Sequence, residues 1–360
     1  MRFGLSEDQR LLQDSVTRAL EALCPLERVR RFAEQNEIVA ADVWEGLTDM
    51  GLPGVLIPEE HGGLGLGLLE AALAAEALGR AVAPTPFLGS AVLAPLALMR
   101  GGSAEQQAKW LPKLAAGEVT AGIAISEPVA GAREGAGVDA KDGQLSGLSM
   151  FVIDGPGADL FVVADRAGGL HLVDSKAAGV TCENLGTIDL TRRVGKLTLK
   201  DAPAEALPGE GALEALRDAG WVMLAADALG AADAMLAQAV DYAKERKQFG
   251  RVIGSFQAVK HLCAEMAAEI EPSRALVWYA AYAFDAVPED ASLTAAHAKA
   301  HLSEIGRFVA RTATEVHGGI GITDLLGLHY WFKRLGLDRQ LLGGPERVRE
   351  AAAQMQGLAA

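Results

Sequence analysis

The sequence has few cations and few aromatic residues. Its 33 Lys and Arg residues are outnumbered by 47 Asp and Glu residues, and its formal net charge is −14. A nucleic-acid-binding surface needs clustered cations, so the charge balance argues against that class of partner. Aromatic residues make up only 5% of the 360 residues, while long stretches are rich in Ala and Leu. This composition favours helices over a β-sandwich.

Paired cysteines and uninterrupted apolar runs are also missing. Cys24, Cys182 and Cys263 are scattered without a CxxC pair, which indicates buried thiols in a reducing compartment rather than a disulfide framework. The first residues, MRFGLSEDQR, contain no apolar h-region, and the alanine-rich runs carry Asp, Glu or Lys. We therefore expect no signal peptide and no membrane-spanning segment, and we expect a cytoplasmic protein.

The apolar pattern divides the chain into three parts. Residues 1–118 have the pattern of a helical N-terminal domain. Residues 119–205 contain short apolar or alternating runs, such as SMFVID and ADLFVVAD, separated by Gly and Asp, which is typical of an antiparallel β-unit. Residues 206–360 return to long helices. The predicted fold class is therefore α+β, mostly α, with three domains in the order α, β, α.

Local signals mark two boundaries. Ser6 followed by Gln9 is a capping box, in which each side chain can satisfy the free backbone N–H of the other residue, so a helix is predicted to begin there. The stretch DAPAEALPGEGA (201–212) is the predicted linker into the last domain.

Two motifs stand out in the last domain. In ERKQFG (245–250), the cations Arg246 and Lys247 suit the last turn of a helix, and Gly250 suits a C-cap. Helix chemistry does not, however, require the residues Gln248, Phe249 and Gln257 that follow in this motif and in FQAVKH.

The second motif is EVHGGIGIT (315–323). Its glycines at positions 318, 319 and 321 let the backbone approach another helix or a ligand phosphate closely. Taken alone, either motif is a weak signal.

In this order and on this α–β–α layout, the motifs resemble the acyl-CoA dehydrogenase family of flavoproteins over essentially all 360 residues. ISEP (125–128), which opens the β-unit, also matches. The resemblance implies a helical N-terminal domain, a middle antiparallel β-domain and a C-terminal four-helix bundle. It further implies tetramers built from dimers, with FAD held at the dimer interface by residues of two chains. An acyl-CoA substrate and an electron-transfer flavoprotein or similar acceptor follow from the same resemblance.

The chemistry that the resemblance implies needs a positioned base. In the family a glutamate removes the α-proton of an acyl-CoA thioester, and the β-hydrogen leaves as hydride to the flavin. The α-proton of a thioester is too weakly acidic for water to remove it at a useful rate. A glutamate or an equivalent base is therefore essential to this reaction.

The resemblance assigns one set of residues to the FAD of a partner chain, and we call this set the trans contacts. Near the FAD pyrophosphate they are Arg246, Gln248, Phe249 and Gln257, and near the adenine they are Glu315, Gly318 and Gly319. An arginine suits a phosphate because its planar guanidinium donates two parallel hydrogen bonds. Ser126, in ISEP, is the matching contact to the chain's own FAD.

The position of the catalytic base departs from the family pattern. The usual base lies in a Tyr-Glu-Gly-Thr loop before the last helix, and here the loop reads Leu342-Gly343-Gly344-Pro345. Some members place the base on a helix of the last domain, and that position is Gly220, followed by Trp221 where an arginine is common. Both base positions are therefore glycine, and we predict no catalytic residue in this chain.

The chain's own flavin contacts depart from the pattern as well. Where Gly-Ala-Gly-Ser is common after SEP, this chain has Val-Ala-Gly-Ala at 129–132, without the serine hydroxyl. Phe151 takes the place of an aromatic residue that packs on the flavin, and Ile153 takes the place of a threonine that reaches the flavin ring.

These departures, beside retained trans contacts, resemble bacterial α2β2 enzymes that have two unlike subunits and two flavins, several of which act on CoA thioesters of steroid side chains. This chain would be the non-catalytic subunit. One alternative is a homo-oligomeric flavoenzyme with another base, such as Glu346 from a shifted loop, or with a monooxygenase reaction. Another is a flavin-free interaction protein.

His297 and His301 have metal-ligand spacing, but no third ligand is evident, so we predict no metal site. The acyl group stays open.

Overall fold

The structure is a computed structural model, and it describes residues 4–359. Its elements follow the order helices, sheet, helices. The N-terminal helices are α1 (Glu7–Leu23), α2 (Leu26–Glu34), α3 (Ala41–Asp49), α4 (Leu68–Arg80), α5 (Ala94–Gly101) and α6 (Ala104–Ala115). A π-helical turn, Leu88–Leu93, runs directly into α5.

The predicted start of the first helix is confirmed. The Gln9 backbone N–H donates to Ser6 Oγ at 3.2 Å, and the Ser6 backbone N–H donates to Gln9 Oε1 at 2.9 Å. These two bonds satisfy two of the backbone donors that the beginning of α1 would otherwise leave without a partner.

The middle of the chain forms one eight-stranded sheet and a short helix, α7 (Ser126–Ala130). The strands are β1 (Ala121–Ala124), β2 (Gly137–Lys141), β3 (Gln144–Ile153), β4 (Leu160–Ala164), β5 (Leu170–Asp174), β6 (Val180–Asn184), β7 (Val194–Pro203) and β8 (Glu205–Leu207). Their order across the sheet is β6-β7-β3-β1-β4-β5-β8, with β2 paired to β3. One face packs on the helices, and the other face buries a smaller core that includes Phe161 and Val163.

The predicted fold class is confirmed, with one difference in strand direction. Strands β1 and β4 pair in parallel, with Ala121 opposite Leu160 and Ala124 opposite Val163, whereas the other pairs of the described sheet are antiparallel. A parallel pair needs a long crossover, which here runs through α7, β2 and β3. Apolar alternation shows which face a residue occupies but not the direction of its strand, so the sequence pattern could not predict this pair.

The predicted linker at 201–212 is too long. Strand β7 continues to Pro203, and β8 pairs with β5, with Leu207 opposite Leu170. Residues 208–211 alone connect the sheet to the following helix. The Pro- and Gly-rich composition did not exclude strands, because Pro203 is the last residue of β7 and Pro208 follows the last residue of β8, where a proline interrupts neither strand.

The C-terminal part consists of long helices and a two-stranded hairpin. The helices are α8 (Ala212–Glu245), α9 (Gln257–Ala286), α10 (Pro288–His317), α11 (His329–Gln340) and α12 (Pro345–Met355), and the hairpin strands are β9 (Lys247–Gln248) and β10 (Arg251–Val252). Among residues 4–359, α8 is the one helix long and apolar enough to cross a membrane, and 89% of its most apolar window is buried inside the protein. A helix that is apolar on all sides is typical of the centre of a bundle.

A buried arginine joins the three groups of elements. Arg334, on α11, donates to Ala83 O in the N-terminal part at 3.1 Å and to Thr191 Oγ1 in the β6–β7 connection at 3.0 Å. The same guanidinium pairs with Asp227, on α8, at 3.1 Å. Because a buried charge is tolerated only when it is paired and hydrogen-bonded, these contacts hold the helices and the sheet in one relative position.

A buried lysine lies next to this cluster. Lys299, on α10, is 1% exposed, and its Nζ donates to Asp338 O at 2.7 Å and to Arg339 O at 3.1 Å. These two carbonyls belong to the last turn of α11. Burial lowers the pKa of Lys299 to about 7. The side chain therefore caps the end of α11, immediately before the connection to α12.

Candidate functional site

The connection between α11 and α12 is short and has unusual backbone angles. Leu342 has φ +55° and Gly343 has φ +104°, both in the left-handed region. Gly344 precedes the first turn of α12, and Pro345 is the first residue of that helix, a position where its missing N–H is not needed. The predicted base position, Gly343, is thus the one residue of this loop whose backbone angle specifically requires glycine.

The structure places the predicted base position on α8, Gly220, against the loop that contains the other predicted base position, Gly343. A Cβ built on Gly220, in the middle of α8, would lie 2.5 Å from Leu342 Cδ1. The next residue, Trp221, donates from Nε1 to Leu342 O at 2.8 Å. Helix α8 and the α11–α12 loop therefore meet directly through Gly220, Trp221 and Leu342.

Two cavities lie on either side of Leu342. The smaller has a volume of about 300 Å³ and is bounded by α8, α12 and the start of α7, with Arg217, Trp221 and Arg347 among its residues. The larger has a volume of about 730 Å³ and lies between the sheet and α11. Leu342 lines both cavities, and no other residue lines both.

The larger cavity is lined by Ser126 and Phe151, two residues that the resemblance assigns to the chain's own FAD and that we call cis residues. Ser126 Oγ donates to Phe151 O at 3.3 Å. Phe151 lies at an irregularity of β3 and has φ +55°, a strained angle for an aromatic residue. The guanidinium of Arg133 covers the Phe151 ring, with its Cζ 4.4 Å from the ring centroid. A planar ligand would have to displace Arg133 to stack on that face of the ring.

Ile153 is placed differently from Phe151. It is fully buried between Ile123 of β1 and Val194 of β7 and is not among the cavity-lining residues. An isoleucine at this position therefore contributes to the core and offers no hydroxyl to the cavity.

Two carboxylates near the loop, Glu127 and Glu346, already have hydrogen-bond or ion-pair partners within the chain. Glu127, in the wall of the larger cavity, accepts from Ser149 Oγ at 2.6 Å and from the Met150 backbone N–H at 2.7 Å. Glu346 is 74% exposed and pairs with Arg339 at 3.0 Å. Hydrogen bonds from its own backbone N–H and from Arg339 lower the pKa of Glu346. Glu346 lines neither cavity, so the described structure gives no support to it as a base.

The ERKQFG motif forms a hairpin rather than a helix end capped by glycine. Helix α8 ends at Glu245 with Arg246 as its C-cap, and Lys247 already belongs to β9. Phe249 and Gly250 have φ +51° and +77°, as a two-residue hairpin turn of type I′ requires. The predicted C-cap at Gly250 is therefore wrong. The sequence could not separate the two possibilities, because a glycine at positive φ serves both.

The hairpin brings four trans contacts together on an exposed surface. Arg246, Gln248 and Gln257 are exposed, and Phe249 is 92% exposed. Phe256, directly before Gln257, lies with its ring centroid 6.1 Å from that of Phe249. A phenylalanine that is almost fully exposed is uncommon on an isolated protein surface and indicates a surface that contacts another molecule.

This hairpin is a cationic surface on an acidic protein. Its cations are Arg246, Lys247 and Arg251, all exposed. The Arg251 guanidinium lies 4.1 Å from the centroid of the Phe256 ring. Cations beside an aromatic ring fit a ligand with phosphates and a planar group. The residues present here are therefore consistent with one half of a dinucleotide site.

The second trans group lies next to the first. The Tyr242 and His317 rings have centroids 4.8 Å apart, which places the end of α10 beside the last turn of α8. Glu315, Gly318 and Gly319 are exposed at this end. None of the trans contacts lines either of the two cavities, whereas Ser126 and Phe151 both line the larger one.

One glycine of the pair at 318 and 319 has no explanation in the described part of the chain. Gly318 has φ +63° and ψ −143°, a combination that favours glycine. Gly319 has no positive φ, and a Cβ built on it would meet nothing within 4 Å among the described residues. A glycine that the conformation and packing of its own chain do not require is consistent with the close approach of another molecule to the backbone.

Sequence reasoning missed the groups that fill the chain's own site. Arg133 covers Phe151, and Arg347 packs on Gly131, where a Cβ would lie 2.6 Å from its Nη1. Leu342 stands where the family loop has a tyrosine. No motif signals these contacts, because each joins residues that are distant in sequence. Residues 4–359 hold no group of three His, Cys, Asp or Glu side chains arranged for a metal ion.

Family models match most of the chain. Residues 6–118 match the model for the acyl-CoA dehydrogenase N-terminal domain, and residues 212–355 match the model for the acyl-CoA dehydrogenase C-terminal domain. The acyl-CoA dehydrogenase IpdE2 of Mycolicibacterium smegmatis is 33% identical over 357 residues, which cover 98% of this chain and all of the relative.

Solved structures agree with these matches. A structure of the Tcur3481–Tcur3483 steroid ACAD aligns with a TM-score of 0.88 and 32% identity over 98% of both chains. The ChsE4–ChsE5 complex from Mycobacterium tuberculosis aligns with a TM-score of 0.92 and 29% identity over the full length of both chains. The resemblance inferred from the motifs is thereby confirmed.

Proposed function

Because this chain belongs to the acyl-CoA dehydrogenase family, we propose that it is the non-catalytic subunit of a heteromeric, FAD-dependent acyl-CoA dehydrogenase. Members of this family are oxidoreductases that act on the CH–CH group of acyl-CoA thioesters, and FAD is their cofactor. In the proposal, an unlike subunit of the same family carries the catalytic glutamate, and this chain lends its trans contacts to the FAD of that subunit.

One observation carries the proposal. The residues predicted to contact FAD in trans lie exposed at one end of the helical bundle, and they line neither of the cavities described in this chain. Groups arranged in this way are available to a molecule that is held mainly by another chain. The exposed Phe249 and the surrounding cations support a partner surface that carries a phosphate-containing ligand.

The loop supports the non-catalytic role. A general base must come within about 2.6–3.2 Å of the proton that it removes. Neither Gly343 nor Gly220 has a side chain that can accept a proton, and Glu346 is directed towards Arg339. When bound, FAD accepts the hydride of the reaction, and the proton must leave to a base that this chain does not provide.

The alternative of a homo-oligomeric enzyme with a different base has less support. In the larger cavity, the carboxylates are Glu127 and Asp189. Glu127 accepts two hydrogen bonds from β3, and Asp189 is buried and paired with Arg334 at 3.2 Å. Both therefore have structural partners that a catalytic base would have to give up. A flavin-free interaction protein would not need the cationic hairpin or the bare glycine backbone.

We propose a steroid-derived CoA thioester as the substrate of the complex. This choice is supported by the 32% identity to a protein described as a steroid ACAD. The unlike partner is supported by the full-length similarity to a chain of the ChsE4–ChsE5 complex. An electron-transfer flavoprotein or a similar acceptor would then reoxidise the flavin, and the exact acyl group and acceptor stay open.

The test is an assay of the isolated chain, an unlike partner with a glutamate in the loop, and their complex. Each is incubated with added FAD and a panel of CoA thioesters that includes steroid side-chain esters, and flavin bleaching is followed without oxygen. We expect bleaching by the complex and a rate at least about 10²–10⁴-fold lower for the isolated chain, because a positioned base typically contributes that factor. Full bleaching within seconds by the isolated chain would contradict the proposal.

A further inference from the structure

The exposed trans contacts come mainly from two segments that are far apart in the sequence. The hairpin segment, residues 246–252, follows α8, and the glycine turn, residues 318–322, follows α10. Among residues 4–359, no hydrogen bond or ion pair joins these two segments. Two segments that bind one ligand need a common support, because each segment that moves freely must be ordered on binding, at a cost in free energy.

His317 lies directly beneath the glycine turn. It is the last residue of α10 and is 3% exposed. The turn folds back on it so closely that a Cβ built on Gly321 would lie 2.9 Å from His317 Cβ. His317 Nδ1 lies 2.8 Å from Ala313 O, and since a carbonyl oxygen can only accept, Nδ1 carries the proton and donates. This bond ties the ring to α10.

The His317 ring acts through packing rather than through charge. Burial lowers the pKa of His317 and outweighs two backbone carbonyls, Ala313 O and Gln238 O, which favour the protonated form, so the ring is neutral at neutral pH. Its second nitrogen, Nε2, is buried and has no hydrogen-bond partner among the described residues. The ring packs on Tyr242, on α8, with the two centroids 4.8 Å apart.

Tyr242 connects this contact to the hairpin segment. It lies half-buried in the last turn of α8, and its carbonyl oxygen accepts from the Arg246 backbone N–H at 2.8 Å. The Arg246 carbonyl oxygen accepts in turn from the Ile253 backbone N–H at 2.7 Å, which closes the base of the hairpin. The backbone of Arg246 is therefore bonded to a residue whose ring packs on His317.

We infer that Tyr242 and His317 are positioning residues, whose ring contact holds the hairpin segment and the glycine turn in one fixed arrangement. Neither residue belongs to the predicted trans contacts, and both act through the backbone of the segments that they support. The consequence for FAD rests on the proposed function, which assigns both segments to the same cofactor. A surface that is already arranged before binding loses less conformational entropy when the ligand binds.

Hydrogen exchange on the full-length chain, without FAD and without a partner, tests the link itself. Each variant is read in the segment to which it does not belong. Tyr242→Ala should speed amide exchange in the glycine turn, and His317→Ala should speed exchange of the Arg246 and Ile253 amides. We expect changes of about 2–10-fold, which is what the loss of one aromatic contact produces in a local opening equilibrium.

The exchange experiment has a second variant and two controls. His317→Asn removes the ring but keeps an N–H donor for Ala313 O, and it replaces the alanine variant if that variant does not fold. Tyr282→Ala and His301→Ala are the matched controls, since these residues are exposed on α9 and α10. Neither control should change exchange in either segment.

The FAD dissociation constant of the purified complex tests the consequence. Tyr242→Ala and His317→Ala should each weaken FAD binding by about 2–10-fold. The double variant should weaken it no further than the stronger single variant, because both substitutions remove the same contact. Tyr242→Phe should keep the wild-type affinity, because it keeps the ring.

Three results would overturn the inference: unchanged exchange in the opposite segment in both single variants, fully additive losses of FAD affinity, or a loss in Tyr242→Phe as large as in Tyr242→Ala. Failure of the proposed function would look different. The complex would then bind no FAD through this surface, while hydrogen exchange on the chain alone would still show whether the two segments are linked.

Discussion

Gly343 shows how one backbone angle limits what a substitution can restore. A Cβ on Gly343 would meet Val348 Cγ2 at 3.6 Å and Ala130 Cβ at 4.0 Å, which are ordinary contacts. Space for a side chain is therefore present, but φ is +104°, a region that residues other than glycine rarely adopt. The limiting factor at this position is backbone conformation and not crowding.

We predict that Gly343→Glu alone does not restore dehydrogenation at this chain's own site. The glutamate would shift the loop, Leu342 would still fill the neighbouring space, and Arg133 would still cover Phe151. A base is useful only when its reaction partners are held about 3–3.5 Å away. Anaerobic flavin bleaching by the variant chain is the measurement, and Gly343→Ala separates backbone strain from the effect of the carboxylate. A homo-oligomer of the glutamate variant with stable FAD and ordinary turnover would show this account to be wrong.

We expect Arg246 to contribute more than any other residue of this chain to binding the FAD of the partner subunit. Arg246→Ala is expected to weaken FAD binding by the complex by about 10–100-fold, since a charge-assisted hydrogen bond contributes about 1.5–3 kcal/mol. Arg246→Lys should recover only part of this loss, because a lysine cannot form the two parallel hydrogen bonds of a guanidinium. The measurement is the FAD dissociation constant of the purified complex.

Lys244→Ala is the matched control for this prediction. Lys244 is an exposed cation two residues earlier, in the last turn of α8, and pairs with Asp241 at 3.6 Å. Equal loss of FAD from Arg246→Ala and Lys244→Ala would indicate that FAD binding depends on the overall positive charge of this surface rather than on Arg246 itself. Unchanged FAD affinity in Arg246→Ala would remove this arginine from the cofactor site.

At the scale of elements, the α11–α12 connection depends on a helix end that Lys299 caps from α10. Burial lowers the pKa of Lys299 to about 7 in the folded chain, below the value of an unfolded lysine. The unfolded chain therefore binds more protons between about pH 7 and pH 10. The contribution of Lys299 to stability accordingly rises as the pH rises through this window and is smallest below it.

We predict that Lys299→Met flattens this part of the pH profile. The free energy of unfolding of the wild-type chain, relative to the variant, should increase from pH 7 to pH 10, because the buried amine loses its charge. Urea unfolding at several pH values measures this difference, and Lys260→Met, an exposed position on α9, is the control. Parallel profiles for wild type and Lys299→Met would mean that the lysine stays charged when it is buried.

The hairpin at the end of α8 is the element that determines the accessibility of the trans contacts. Two residues with positive φ reverse the chain at Phe249 and Gly250, so that the motif projects beyond the helix. The element that replaced the predicted glycine cap thus makes a surface contact available to another chain.

At the scale of the whole molecule, the separation of cis and trans residues has a consequence for stoichiometry. An interface between two subunits of this fold has two half-sites related by an approximate two-fold axis. One site combines this chain's trans contacts with the partner's own pocket. The other depends on this chain's pocket, where Ile153 and Leu342 are buried and the base is absent.

We therefore predict one FAD per pair of unlike chains in the purified complex. The complete site should hold FAD, and the site built on this chain's own pocket should not. Flavin absorbance against protein mass, with subunit ratios from mass spectrometry, is the measurement. One FAD per chain would show that the asymmetry between the two half-sites has been read wrongly.

The sequence by itself determined the fold class and the family, and it predicts that the chain lacks a base. These results rest on local features, which depend only on residues that are close together in the sequence. The features are the helical and strand patterns, the capping box at Ser6 and the two glycine-containing motifs. The glycines at 220 and 343 could likewise be identified from their distance to neighbouring motifs. The assignment of the trans contacts stays a prediction, because no bound cofactor or partner tests it.

The tertiary structure alone decided how these residues relate in space. The contact of Leu342 with Gly220, the Arg133 cover on Phe151 and the capping of α11 by Lys299 join residues far apart in the chain. Each depends on how helices and sheet pack, and packing is set by many side chains at once rather than by any local pattern. The parallel β1–β4 pair and the hairpin at Phe249 escaped prediction for a related reason: apolar alternation and a glycine at positive φ are each compatible with more than one arrangement.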